Sequence, residues 1–441
     1  MSHLEKITIT SSKLEINLIN IIFISCLFPF FKVIPYITAE VQPIASIFAA
    51  IYIWFFPLKR KYRFMHKIVL IYCTVILFYF VSAILQSQYE LVNFLDSLQS
   101  LIILISPLLI FIVLLEKLEL VSVRLFRLAY YAWFIISFFQ LHLSGILNFT
   151  GISLLLTILI PRFSAEQLVD WDRGVVAFAP EPSYGAHVIL LLFAFSFFLY
   201  RRKLIKNTEF SVLAFLFLFM VYANQSITMG GIISVFFVTY TILELFIGTN
   251  YSKCWMFLIL LLLLFLFTFI LAFANTNLQE IRVFDALSGV ISKGIDNNFF
   301  VELGTSYGST REIGVNTGYY NVLITHGMGS GLGGWGTYSL DSLASNPNIP
   351  PTMVNLQNTL GNFKPYAYAS LVAFDLGLPG LISLSSIFIG MILVKLNDYK
   401  KISSYSLSCL ATFFLGLYFN SPTSLPIYWI FFILFMKDGK E

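Results

Sequence analysis

Long apolar stretches, each closed by a short polar segment, repeat from one end of this chain to the other. They lie near residues 15–34, 40–57, 67–86, 99–115, 127–143, 185–200, 209–224, 228–247, 253–274, 366–394, 402–419 and 424–436. Most approach the roughly 20 residues that a helix needs to cross about 30 Å of hydrocarbon. None alternates apolar and polar positions, as a transmembrane strand would, so the spans are expected to be helices that satisfy their own backbone groups. The pattern predicts an all-α integral membrane protein of about twelve transmembrane helices with one large external loop. Residues 1–274 hold spans one to nine with an external segment at 144–184, residues 275–365 form the large loop, and residues 366–441 hold the last three spans.

Composition agrees: 58% of the residues are hydrophobic, 11% are charged and the mean hydropathy is +0.84, well outside the range of a soluble domain. Charge placement adds orientation. The segments 57–67, 116–127, 201–206, 253 and 395–401, with both termini, carry 20 of the 27 lysines and arginines. Basic loops stay in the cytoplasm, which predicts both termini inside. The opposite loops carry most of the acids, among them Asp96, Asp172, Glu302 and Asp341. The apolar run 143–160, broken by Gly145 and Gly151, is expected to be interfacial or re-entrant, since a further crossing would invert every later loop. Met1 to Lys13 lacks the apolar core and cleavage site of a removable signal peptide. Cys26, Cys73, Cys254 and Cys409 all fall in apolar spans, which argues against a disulfide framework or a thiolate metal site. The net charge of +4 belongs to the cytoplasmic loops and anionic lipid, and gives no reason to expect nucleic acid.

Two external stretches concentrate the polar chemistry. In the first, Pro180 and Pro182 fix the backbone where a helix begins, Ser183 is the expected N-cap, and Arg173 and Glu181 flank that end. A helix N-terminus facing outward, with an arginine beside it, suits a phosphate or pyrophosphate. The plainer alternative is that Glu181 and Ser183 only cap the helix while Arg173 pairs with Asp170 or Asp172. In the second stretch, Arg311, His326 and the run from Gly327 to Gly336 suggest a backbone that turns sharply or approaches a ligand closely, against the alternative of a flexible connector. His142 and His187 read as structural. The external tryptophans and tyrosines read as an interfacial belt unless placed otherwise.

The string Arg173-Gly174-Val175, with Glu181-Pro182-Ser183-Tyr184-Gly185-Ala186, resembles the Glu-Pro-Ser signature of the O-antigen polymerase (Wzy) family within the O-antigen polymerase and ligase superfamily. Ser226-Ile227-Thr228 and the stretch Phe374-Asp375-Leu376-Gly377-Leu378-Pro379-Gly380-Leu381 extend the resemblance, as does the late external loop. Family arginines lie in two external loops in an R-x10-G pattern. Arg173 precedes Gly185 by one residue too many for that pattern, and Arg311 has no glycine at that distance. The resemblance implies a GT-C-like bundle in the bacterial inner membrane with its active site facing the periplasm. The implied activity is a glycosyltransferase that moves a growing glycan from undecaprenyl pyrophosphate to a lipid-linked repeat unit, with inversion and without a metal or other cofactor.

Under that resemblance Arg173 and Arg311, with Arg282 third, would hold the departing pyrophosphate together with Ser183 and Tyr184. His326 or Glu181 would be the base, and Asp375, placed inside the outer half of a span, would orient an arginine. The expected partners are the lipid-linked oligosaccharide, the bilayer and a chain-length regulator of the same pathway. The rival expectation is a membrane transporter or a lipid-linked oligosaccharide flippase, for which the large external loop after span nine is an odd feature.

Overall fold

The computed structural model describes residues 12–33, 41–57, 63–86, 91–160, 174–247, 310–346, 354, 361–396, 402–419 and 423–439. Predicted span nine, Arg173, Arg282 and Cys254 lie outside the described residues. Among the described residues the protein is all α-helix, without a strand. In chain order the helices are α1 (Lys13–Leu27), α2 (Ile44–Phe55), α3 (Arg63–Gln86), α4 (Leu91–Lys117), α5 (Val123–His142), α6 (Ser144–Phe149), α7 (Ile152–Leu159) and α8 (Pro182–Arg201). They continue with α9 (Asn207–Asn224), α10 (Ile227–Ile247), α11 (Thr310–Ile324), α12 (Trp335–Ala344), α13 (Tyr368–Leu396), α14 (Ser404–Tyr418) and α15 (Ile427–Lys437).

Burial is arranged as a membrane bundle requires. Helices α8 and α15 form the centre: every residue of α8 from Tyr184 to Leu199, and of α15 from Ile427 to Phe435, is buried. A helix apolar on all sides must be packed on all sides or face lipid. Helix α3 takes the second solution, with Leu70, Ile71 and Phe78 more than 60% exposed. Among the described residues, five helices are long and apolar enough to cross a membrane, accompanied by shorter apolar helices. The run 143–160 forms α6 and α7, of six and eight residues, too short to cross and separated by Gly151 at φ 73°.

The bundle has two chemically different ends. At one, Lys117 pairs with Glu15, His66 with Glu116 (3.0 Å), Arg127 with Glu209 (Nη2–Oε2 2.8 Å), Arg201 with Asp438 (3.1 Å) and Lys437 with Glu119 (2.6 Å). Lys395 and Ser403 also donate to Asp438. These contacts gather the ends of α1, α3, α4, α5, α8, α9, α13, α14 and α15 that charge placement assigned to one side. The 22 residues of α4 from Asp96 to Lys117 then span about 30 Å, carrying the chain from a carboxylate at the far end to this ionic end.

Residues 366–394, expected to form one long span, do not. Inside α13 Gly377 has φ 59° and ψ −148°, which no helix contains. The ring of Trp429 lies 5.5 Å from that of Tyr368 and 5.7 Å from that of Phe388, so the two rings are no more than about 11 Å apart. Twenty residues of continuous helix would separate them by about 30 Å. A Cβ on Gly380 would likewise stand 3.0 Å from the side chain of Val372. The chain therefore doubles back at Gly377. Arm 368–376 rises toward the far end, and arm 378–396 returns to the ionic end and alone is long enough to cross. Pro379 suits the first turn of the returning arm, where its missing N–H costs nothing.

Candidate functional site

The reversal at Gly377 breaks the α13 hydrogen-bond ladder, and the glycine-rich loop supplies the replacement partners. Broken helices are tolerated at membrane depth only when neighbouring groups satisfy the freed backbone. Helix α11 ends in a left-handed His326 (φ 51°) and Gly327 (φ 90°), whose N–H reaches back to Val322 O at 2.7 Å. The loop then enters the break: Leu378 N–H donates to Gly327 O (2.8 Å) and Ser330 N–H to Phe374 O (2.8 Å). Buried Asn321 locks the junction. Its Nδ2 donates to Phe374 O (2.9 Å) and Ser330 Oγ (2.8 Å), and its Oδ1 accepts from Ser342 Oγ (2.7 Å). A side chain on Gly329 would strike Gly377 N and Asp375 O, so this crossing of backbones requires glycine on both sides.

The same loop is fastened to the head of α4. Ser97 Oγ donates to Leu332 O (2.6 Å), and Trp335 Nε1 donates to Ser100 Oγ (2.9 Å). Gly333, at φ 80°, lies so close to α4 that a Cβ would meet the backbone of Asp96 and Ser97. On the other side Gly333 N–H donates to Asp375 Oδ2 (3.1 Å). Asp375 is fully buried at the tip of the rising arm, beside the Ser100 hydroxyl, and its Oδ1 meets no donor among the described residues. Where an arginine was the expected partner of Asp375, the described structure has it holding the glycine loop.

The first polar stretch, at the head of α8, also lies at this end of the bundle. Helix α8 begins at Pro182 with Glu181, not Ser183, at the N-cap; the expected Ser183 cap is corrected, because Pro182 already occupies the first helical position. No side chain caps this end. Ser183 Oγ instead donates to Glu181 Oε2 (3.3 Å). The strip ahead of it is tucked into the bundle. Gln140 bonds both backbone groups of Ala177 (2.7 and 3.2 Å), holding it at φ 52°, and Asn224 donates to Pro182 O (2.8 Å). Gly174, the residue after Arg173, abuts the Asn224 carbonyl so closely that a Cβ has no room.

Tyr366 joins the two stretches. Its ring lies 6.4 Å from that of Tyr184, and its backbone N lies 3.6 Å from where a Cβ on Gly314 would project. Gly314 and Gly318 are four residues apart and let α11 lie against the rising arm of α13, where Ser370 Oγ donates to Val315 O (2.7 Å). Arg311 is thus placed in the first turn of α11, next to the approach to α13 and, through Tyr366, to the head of α8. Its side chain lies outside the described part.

Of the remaining expected site residues, His326 is exposed at the rim of the glycine loop and Glu181 is partly exposed. Tyr184 is buried against Phe30 and Tyr366, a packing position and not an open binding face. His187 is buried with Nδ1 2.5 Å from Tyr428 Oη, and His142 packs on Phe138 and Phe219. Among the described residues no three His, Cys, Asp or Glu side chains converge as metal ligands. Sequence reading passed over Asn321, Ser97, Ser100 and Asp96 as site residues. The four-residue spacing of Gly314 and Gly318 was the one available sign that a helix inside the large loop packs tightly. No family model, curated protein or solved structure matches the chain.

Proposed function

We propose that the protein is a surface-polysaccharide polymerase of the O-antigen type in the bacterial inner membrane. It would transfer a growing glycan from undecaprenyl pyrophosphate to a lipid-linked repeat unit at the periplasmic end of the bundle. The observation that carries this reading is the convergence, through Tyr366, of the α8 head bearing Glu181 with the first turn of α11 bearing Arg311. The first carries the Glu-Pro-Ser string on which the resemblance to the polymerases rests, and the second lies in the late external loop that extends it. The positive dipole end of α8, with an arginine-bearing helix beside it, suits a diphosphate at the membrane surface. The folded-back α13 under the glycine loop gives the saccharide a rigid floor at the same end.

The chemistry asks for positive charge on the departing pyrophosphate and a proton acceptor near the attacking hydroxyl. Arg173 and Arg311 are assigned the first role, with Arg282 as a further contributor. A chain-length regulator of the same pathway would dock from the same side. Arg173→Ala and Arg311→Ala should abolish the long-chain ladder, leaving single repeat units on the lipopolysaccharide core and normal amounts of protein in the membrane. A normal ladder in both variants would overturn the assignment.

A second reading, a lipid-linked oligosaccharide flippase or other transporter, draws on one observation: a discontinuous helix with a buried carboxylate, Asp375, is a common transporter device. The same assay separates the two, since loss of a flippase leaves essentially no repeat units on the core.

A further inference from the structure

We propose that Asp96 is the catalytic base that takes the proton from the acceptor sugar hydroxyl. This inference rests on the polymerase reading and adds a residue to its site.

Asp96 stands in the second turn of α4, at the end of the bundle opposite the ion pairs. It is half-buried, and no described residue gives it a hydrogen bond or an ion pair. A carboxylate at the edge of the hydrocarbon without a partner is costly and marks function by default. The surroundings are built to keep it there. Gly336 faces its carboxylate, and a Cβ on that glycine would take the place of Asp96 Oδ2. Gly333 lies against the Asp96 backbone with its N–H on Asp375. One helical turn below Asp96 on the same face, Ser100 holds the indole of Trp335, which puts an aromatic ring on the ledge beside the carboxylate. An aromatic face next to a carboxylate is what a pyranose needs: apolar C–H groups on the ring, hydroxyls on the oxygens. Buried Asp375, whose Oδ1 has no donor, faces the same junction from the α13 side and acts as a positioning residue by fixing the loop.

In the step assigned here the acceptor O–H proton passes to an Asp96 oxygen as the hydroxyl oxygen forms its bond to the anomeric carbon of the donor. The anomeric C–O bond to the diphosphate breaks, its electron pair stays on the departing undecaprenyl diphosphate, and Asp96 later releases the proton to water. Charge and atoms balance without a further reactant.

The test uses the full-length protein in liposomes with undecaprenyl diphosphate carrying one defined repeat unit as both donor and acceptor. General base catalysis contributes about 100-fold or more. Asp96→Asn should therefore lower kcat at least about 100-fold with KM changed by less than about threefold, Asp96→Glu should recover part of the rate, and Gly336→Ala should lower kcat with Asp96 intact. Asp96→Asn retaining kcat within threefold, or raising KM alone, would overturn the assignment of the base. Failure of the wild-type protein to make any product longer than one repeat unit would overturn the polymerase reading itself, and this inference with it.

Discussion

Gly377→Ala should be among the most damaging single-methyl additions in the described part of the protein. At φ 59° and ψ −148° the residue occupies a region used essentially by glycine alone, where another residue costs about 1–3 kcal/mol. The new Cβ would also collide with Gly327 O and stand 2.5 Å from both Gly329 N and Met328 C, all backbone atoms that cannot rotate away. Relief requires the loop to withdraw from the break. That endangers the bonds from Leu378 N–H to Gly327 O, Ser330 N–H and Asn321 Nδ2 to Phe374 O, and Gly333 N–H to Asp375. If two of them are lost at about 1 kcal/mol each, the total is about 3–5 kcal/mol, roughly a hundredfold or more in the folding equilibrium. Unfolding titrations in mixed micelles, followed by tryptophan fluorescence, read this directly. Gly231→Ala is the control, because its Cβ meets nothing within 4 Å on α10 and alanine favours a helix. If Gly377→Ala came within about 0.5 kcal/mol of wild type, the chain would not double back at this residue.

Other substitutions probe the two ends of the bundle. Asn321→Ala should cost about 2 kcal/mol by stranding the Ser342 hydroxyl and one bond to Phe374 O. Asn321→Asp should cost more, since it turns an acceptor toward that carbonyl; a melting temperature for Asp above that for Ala would contradict the assigned amide orientation. At the ionic end, Arg201→Ala removes the guanidinium paired with nearly buried Asp438 and should destabilise by about 1–3 kcal/mol, with Arg201→Lys recovering only part. Equal melting temperatures for Arg201→Ala and wild type would show that Lys395 and Ser403 suffice to hold Asp438.

Much of the fold was legible because hydrocarbon imposes a simple rule on sequence. Apolar runs at 67–86, 209–224, 228–247 and 402–419 became α3, α9, α10 and α14 with ends shifted by only a few residues. Charge placement likewise anticipated which helix ends meet in the cluster around Asp438 and Glu119. The folded-back α13 was not legible, because both arms are equally apolar and a reversal inside a membrane leaves only Gly377 and Pro379 as marks. The Ser183 cap failed for a local reason: with a proline at the first helical position, 182, the helix starts two residues earlier than expected. Within the site, Arg173, Arg311 and His326 stood out by residue type and loop. Asp96 looked like one more loop acid, and only tertiary packing brings it against Gly336, far along the chain. Asn321 carried no sequence signal of its own, since its role is set by a carbonyl freed at the break in a different helix.

Purified protein in liposomes, given undecaprenyl diphosphate carrying a single defined repeat unit with and without a chelator, tests the polymerase assignment most directly. A ladder of lipid-linked products, each one repeat unit longer than the last, released undecaprenyl diphosphate in matching amount, and no effect of the chelator are the predicted results. Substrate that stays at one repeat unit, or merely moves from one leaflet to the other, would contradict it.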